Sequence, residues 1–255
     1  MAGAGGRLGV HRVGHARRGR ATAPVEDHQG APRRRDRGAR DVYQPLGCGG
    51  VPVGGAVERA VSRPLRPGLV AEGDSDCDFL LPVIDRQLNE ILLSNPAADY
   101  DVFPTRRSVC VKKHGKQRFR EEAAKLARQS QLVFVHADHH EAHEAEEMAA
   151  AIRQNAHHAV ILVPKRETEA WLLADREAFR RVRGAETDRL PNDVEKEHDP
   201  KALLKKVMGP AGVDRPADYF ELLGQDISLD VLKSVPAYRR WYDRTVDALK
   251  GLHYL

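Results

Sequence analysis

From residue 66 onward, apolar positions recur with two alternating periods, and each change of period marks an element. Pro67 to Ala71 is a short apolar run stopped by Glu72-Gly73, which reads as a strand. Between Cys77 and Leu93, residues Phe79, Leu80, Val83, Ile84, Leu88, Ile91 and Leu92 return about every 3.6 positions, the stripe of an amphipathic helix. Asp74 or Ser75 is its expected N-cap, and Asn95-Pro96 ends it because a residue before proline disfavours helical dihedrals. Val109 to Val111 reads as a short strand, Gln117 to Gln129 as a helix, and Leu132 to Ala137, rich in β-branched and aromatic residues, as a strand. A helix over Glu141 to Gln154 and a strand over Ala159 to Val163 follow. Past Glu169 the strand signal stops, and Ala170 to Arg183, Pro200 to Val207, Pro216 to Leu223 and Ala237 to Leu249 carry helical spacing, with a polar loop over 184–199. Strands alternating with helices predict an α/β fold, a small parallel sheet flanked by helices, with a helical C-terminal extension. The expected organisation is an α/β domain over 67–175 and a helical extension over 176–255 packed on it.

Composition changes the reading of the first 66 residues. They hold thirteen arginines, no lysine and five acids, a net charge of +8, while the remaining 189 residues carry −4. They also contain 13 of the 21 glycines and no Lys, Ile, Phe, Asn or Trp, so they cannot build a core and are expected to be disordered. Two readings stand for this stretch: a flexible basic arm that binds nucleic acid, or GC-rich sequence translated from upstream of the true start. A transit peptide fits poorly, because no serine precedes Ser62. Three cysteines, Cys48, Cys77 and Cys110, form no C-x-x-C pair and exclude a disulfide framework, which points to a reduced, cytoplasmic chain. No apolar run approaches the roughly 18 residues of a spanning helix, so no membrane partner is expected.

In open parallel sheets ligands bind beyond the carboxyl ends of the strands. Three predicted strands end in acids there: Glu72, Asp138, and Glu167 with Glu169. If the strands are neighbours, these carboxylates converge, and like charges so placed raise one another's pKa unless a cation lies among them. Mg²⁺ or Mn²⁺, which take carboxylate oxygens and retain waters, suits such a group and suits phosphate chemistry. Strand-to-helix loops also favour acids as caps and dipole partners, so any one of them alone carries little weight.

The segments Leu69-Val70-Ala71-Glu72-Gly73, His136-Ala137-Asp138-His139-His140 and Val163-Pro164-Lys165-Arg166-Glu167-Thr168-Glu169-Ala170-Trp171-Leu172-Leu173 together resemble the Toprim fold, a Rossmann-like sheet, as seen in an uncharacterised Toprim-like bacterial family. They are also similar to the nuclease module of overcoming-lysogenization-defect proteins. The similarity covers Pro67 to Ala174, and Asp199-Pro200-Lys201-Ala202-Leu203-Leu204 looks like a tail motif of the same family. The resemblance implies that Glu72 is a metal ligand or general acid/base in strand cleavage, that Asp138 is the first acid of a D-x-D metal pair, and that Glu169 completes the site. The second D-x-D position holds His140, and a register shifted by two places His136 there instead. Imidazole moves a site toward Mn²⁺, Zn²⁺ or Fe²⁺, so either the ion differs or this copy is weakened. The resemblance also implies a separate ATPase as partner.

His139 and His143 are spaced i, i+4, yet H-E-x-x-H is absent, so a zinc hydrolase, and Zn²⁺ with it, is the less favoured choice. Between Thr105 and Arg128, nine basic residues face two acids; Arg106, Arg107, Lys112, Lys113, Lys116 and Arg118 are the expected contacts to DNA or RNA phosphates. Arg166, beside the third acid, is a candidate for stabilising charge on a scissile phosphate. No P-loop, G-x-G-x-x-G after a strand or G-x-S-x-G is present. Two functions remain: a metal-dependent nuclease or phosphodiesterase, and a noncatalytic Toprim-like module serving an ATPase or a nucleic-acid complex.

Overall fold

The computed structural model describes residues 63–95, 100–108, 115–154 and 158–255, all within the compact unit Val57–Leu255. The expectation of disorder over residues 1–66 lies outside the described residues up to 62 and is overturned at Arg63–Leu65, which pair as a strand with Leu65 fully buried; the strand expected at Val109 to Val111 also lies outside the described residues.

Strand β2 (Pro67–Val70), strand β5 (Leu132–His136) and strand β6 (His158–Leu162) form a parallel sheet with the edge strand β4 (Arg106–Arg107), in the order β4-β2-β5-β6. A separate parallel pair joins β1 (Arg63–Leu65) to β3 (Tyr100–Val102). Register sets Val70 opposite Val135 and His136 opposite Leu162, so the loops after β2, β5 and β6 leave the same edge side by side. Helices α1 (Asp74–Leu93), α2 (Lys116–Ala127) and α3 (Ala142–Gln154) connect the strands. The α/β class with a parallel sheet, flanking helices and a helical C-terminal region is the architecture present.

Alternation along the strands covers both faces. Leu69, Leu132, Phe134, Val160 and Leu162 point to a core shared with α1 and the C-terminal helices, whereas Val70, Val133 and Val135 meet Ala123, Leu126 and Ala127 of α2 and Ala145, Ala149 and Ile152 of α3. The C-terminal region adds α4 (Thr168–Leu172), α5 (Pro200–Met208), α6 (Phe220–Asp226), α7 (Leu229–Ser234) and α8 (Pro236–Gly251), with short 3₁₀ turns between them. An aromatic stack ties α8 to the sheet: Trp241 packs on Phe134 at 5.6 Å and on Trp171 at 5.9 Å between ring centroids, and Tyr238 lies 5.1 Å from Trp171. One continuous core therefore runs from Leu65 to Tyr254.

Several boundaries differ from the periodic pattern for local reasons. Helix α1 begins at Asp74 after Gly73, because the Asp76 carboxylate turns back to accept from the Gly73 N–H at 3.1 Å. The single helix expected over Ala170 to Arg183 is two pieces. The buried Asp175 carboxylate accepts from Glu177 N at 2.9 Å and from Ser228 N at 2.8 Å, stopping α4 and starting a 3₁₀ turn. At α6 the backbone comes so close to α1 that a Cβ on Gly224 would lie 2.5 Å from the Phe79 carbonyl oxygen, and Arg86 donates to the Gly224 carbonyl at 2.9 Å.

Candidate metal centre

The loops beyond β5 and β6 are stitched together. Ala137 N donates to Leu162 O at 3.3 Å, and His139 N donates to Arg166 O at 3.1 Å, which carries Asp138 alongside the Glu167–Glu169 segment. Strand β2 delivers Glu72, buried at 5 % exposure, and the first turn of α1 delivers Asp76, also buried. Ligand atoms of Asp76, His136 and Asp138 all lie within 4.8 Å of one another.

His136 is the last residue of β5 and is buried; its Nε2 lies 2.9 Å from the Thr168 hydroxyl. When Nε2–H donates to that hydroxyl, the buried Nδ1 keeps a lone pair, the form a metal-binding imidazole requires. Asp138 Oδ1 is buried and finds no hydrogen-bond partner among the described residues. Two carboxylates and an imidazole are a donor set that divalent Mn²⁺, Fe²⁺ or Zn²⁺ accepts, and a buried acceptor without a donor is what a cation would satisfy. The residues present therefore fit a divalent ion.

The electrostatics agree. Burial, then the charges of Asp76 and Glu72, push the Asp138 carboxyl up to about 6 against the opposing pull of Lys201. Burial likewise pushes Glu169 up to about 7, with Lys201 again opposing. Lys201 is itself disfavoured by burial, but its hydrogen bond to Glu167 and the charge of Glu169 outweigh that and raise its pKa. Its Nζ stands 2.8 Å from Glu167 Oε1 and 3.9 Å from Glu169 Oε1.

Asp76, Asp138, Glu169 and Lys201 line a cavity of about 620 Å³. Its walls include Gly73 to Asp76, Asp78, Asp138 and Glu169 on one side, and Lys201, Arg215, Asp218 and Glu221 of the C-terminal region on the other. Seven carboxylates and two cations line it.

Of the residues singled out from sequence, Asp138 belongs to the converging trio, Glu72 acts on Asp138 by charge, and Glu169 lines the same cavity. His140 is exposed on the 3₁₀ turn His139–Glu141, and His136 is the histidine that joins the two aspartates. Arg166 is half-buried with its Nη2 at 3.5 Å from His198 Nδ1, and it does not line the cavity. Arg106 and Arg107 are exposed on β4 and Arg118 on α2, and Lys116 opens α2; Lys112 and Lys113 lie outside the described residues. Arg107 Nη1 lies 3.8 Å from Asp78 Oδ1, at the cavity wall. Sequence reasoning missed Asp76, Lys201 and Arg215. The Asp199-Pro200-Lys201 motif was visible, with Asp199 capping α5 through Ala202 N at 2.9 Å, but nothing local shows that Lys201 reaches across to two strand-end acids.

Among the described residues, no helix is long and apolar enough to cross a membrane. Residues 71–244 match the model of the family described as Domain of unknown function (DUF4276), and the chain belongs to that family. No curated protein and no solved structure matches the chain.

Proposed function

We propose that this member of the DUF4276 family is a metal-dependent phosphodiesterase of Toprim type that cleaves DNA or RNA. The observation that supports it most is the convergence of Asp76, His136 and Asp138, with Glu72 and Glu169 beside them, at the carboxyl edge of a parallel sheet. Mg²⁺ or Mn²⁺ is the ion proposed, with Asp138 and Asp76 as carboxylate ligands; the imidazole of His136 favours Mn²⁺, and Zn²⁺ ranks third. Such an ion, when bound, neutralises charge on phosphoryl oxygens and lowers the pKa of a coordinated water. Glu169, with a carboxyl at about 7, holds a proton that it can release near neutral pH, the property of a general acid or base. Lys201 orients Glu167 and Glu169 and presents the cation nearest to them. The exposed Arg107 supplies a phosphate contact beside the acidic cavity, and the exposed Arg106 one on the opposite face of β4.

A second reading, a noncatalytic module partnered with an ATPase, draws on one observation. An imidazole, His136, completes the trio where a D-x-D pair would place a second acid. Incubating the full chain with supercoiled plasmid, single-stranded oligonucleotide and RNA in Mg²⁺, Mn²⁺ or Zn²⁺ separates the two. Cleavage that drops on the order of 10²-fold or more in Glu72→Gln and in Asp138→Asn supports the enzyme. Undiminished cleavage in Glu72→Gln rejects the site, and no cleavage with any ion leaves the partner module.

A further inference from the structure

The cavity has a graded wall. Asp76 and Glu169 are buried, Asp74, Asp78 and Asp138 are half-buried, and Arg215, Asp218 and Glu221 are exposed at the mouth. The mouth residues belong to the C-terminal region, and that wall is held against α1. Gly224 packs against the Phe79 carbonyl, and Arg86 donates to Gly224 O at 2.9 Å; within the C-terminal region itself, Arg181 Nη2 pairs with Asp226 Oδ1 at 3.0 Å. The opening between α1 and the C-terminal wall is thus set by packed backbone, and its volume of about 620 Å³ is that of a pocket for a small ligand.

Charge narrows the substrate further. Duplex DNA carries one charge per about 1.7 Å of axis, and docking one against this mouth would press several phosphates toward Asp74, Asp78, Asp218 and Glu221 while only Lys201 and Arg215 answer them. An unpaired strand brings a single phosphate to the two cations and turns its neighbours away. Beyond the wall, Arg107 beside Asp78 adds one more exposed cation, while Arg106 points to the opposite face of β4, toward Gln129.

Resting on the phosphodiesterase reading, we infer that the cavity admits an unpaired polynucleotide strand and excludes duplex, with Lys201 and Arg215 meeting the phosphate and Arg107 guiding the strand at the mouth. The shared chemistry is the flexible phosphodiester strand, so DNA and RNA versions of one labelled oligonucleotide are both tested. Each is presented alone and annealed as a blunt duplex, to the full chain in Mn²⁺, with Glu72→Gln as the control. The single strand is expected to be cleaved at least about tenfold faster in kcat/KM, a difference of about 1.4 kcal/mol at the transition state. Arg215→Ala, at an exposed position, is expected to raise KM for the single strand more than it lowers kcat. Duplex cut inside the helix at an equal rate, and lost in Glu72→Gln, overturns this inference and leaves the phosphodiesterase reading intact. Absence of cleavage in every arm overturns both.

Discussion

Replacing Glu169 by glutamine probes the electrostatics of the cavity while keeping the side chain's shape. The carboxyl stands at about 7 instead of its ordinary 4.5, chiefly through burial. A folded chain therefore keeps a proton that the unfolded chain releases, so stability falls as pH rises from about 4.5 to about 7 and stays level above that. At about 1.4 kcal/mol per unit, the shift sets a ceiling of about 3 kcal/mol. The 3.9 Å contact with Lys201 opposes burial and is already contained in that net shift. Glu169→Gln should then stabilise the metal-free protein by about 1–2 kcal/mol near pH 8 and leave it unchanged near pH 4.5. Urea denaturation midpoints in EDTA at the two pH values measure both numbers. A variant equally or less stable than the parent near pH 8, or one that gains the same amount at both, refutes the reasoning.

Divalent ions should oppose this repulsion: Mn²⁺ is expected to raise the Tm of the parent in a concentration-dependent way and to act far more weakly on Asp138→Asn, read by differential scanning fluorimetry. Gly224→Ala should destabilise by about 1–3 kcal/mol, because its Cβ would meet the Phe79 carbonyl at 2.5 Å and Pro82 Cγ at 2.8 Å; an unchanged urea midpoint would contradict the packing. Asp175→Ala removes the acceptor of two backbone N–H groups and should cost about 2–4 kcal/mol, with unfolding followed by circular dichroism.

The long elements were legible because their apolar positions repeat: the stripe of α1 and the run Leu132 to Ala137 are core in the fold as in the pattern. Strands β1 and β3 have only three residues each, too few to show a period, and β4 is two arginines held by backbone pairing to Gly68 and Leu69. Its sequence says charge; its partner makes it a strand. Acids at strand ends were readable because parallel topology fixes where those ends go. Asp76 escaped notice because it looked like one more acid in the first turn of a helix, and Lys201 because its reach depends on how the C-terminal region packs. Choosing between His136 and His140 required knowing where β5 stops, since one is the last residue of a strand and the other sits in an exposed turn.

The two extremities of the folded unit grip each other: Arg63 donates to the carbonyls of Leu252 and His253, and the Tyr254 hydroxyl donates to Pro64 O at 2.7 Å. A ribosome delivers these partners at opposite times. The earliest strand among the described residues waits, its clasp open, until residues 252–254 leave the exit tunnel, and only then does its outer edge lock. The clasp therefore forms only after nearly all of the unit has been synthesised.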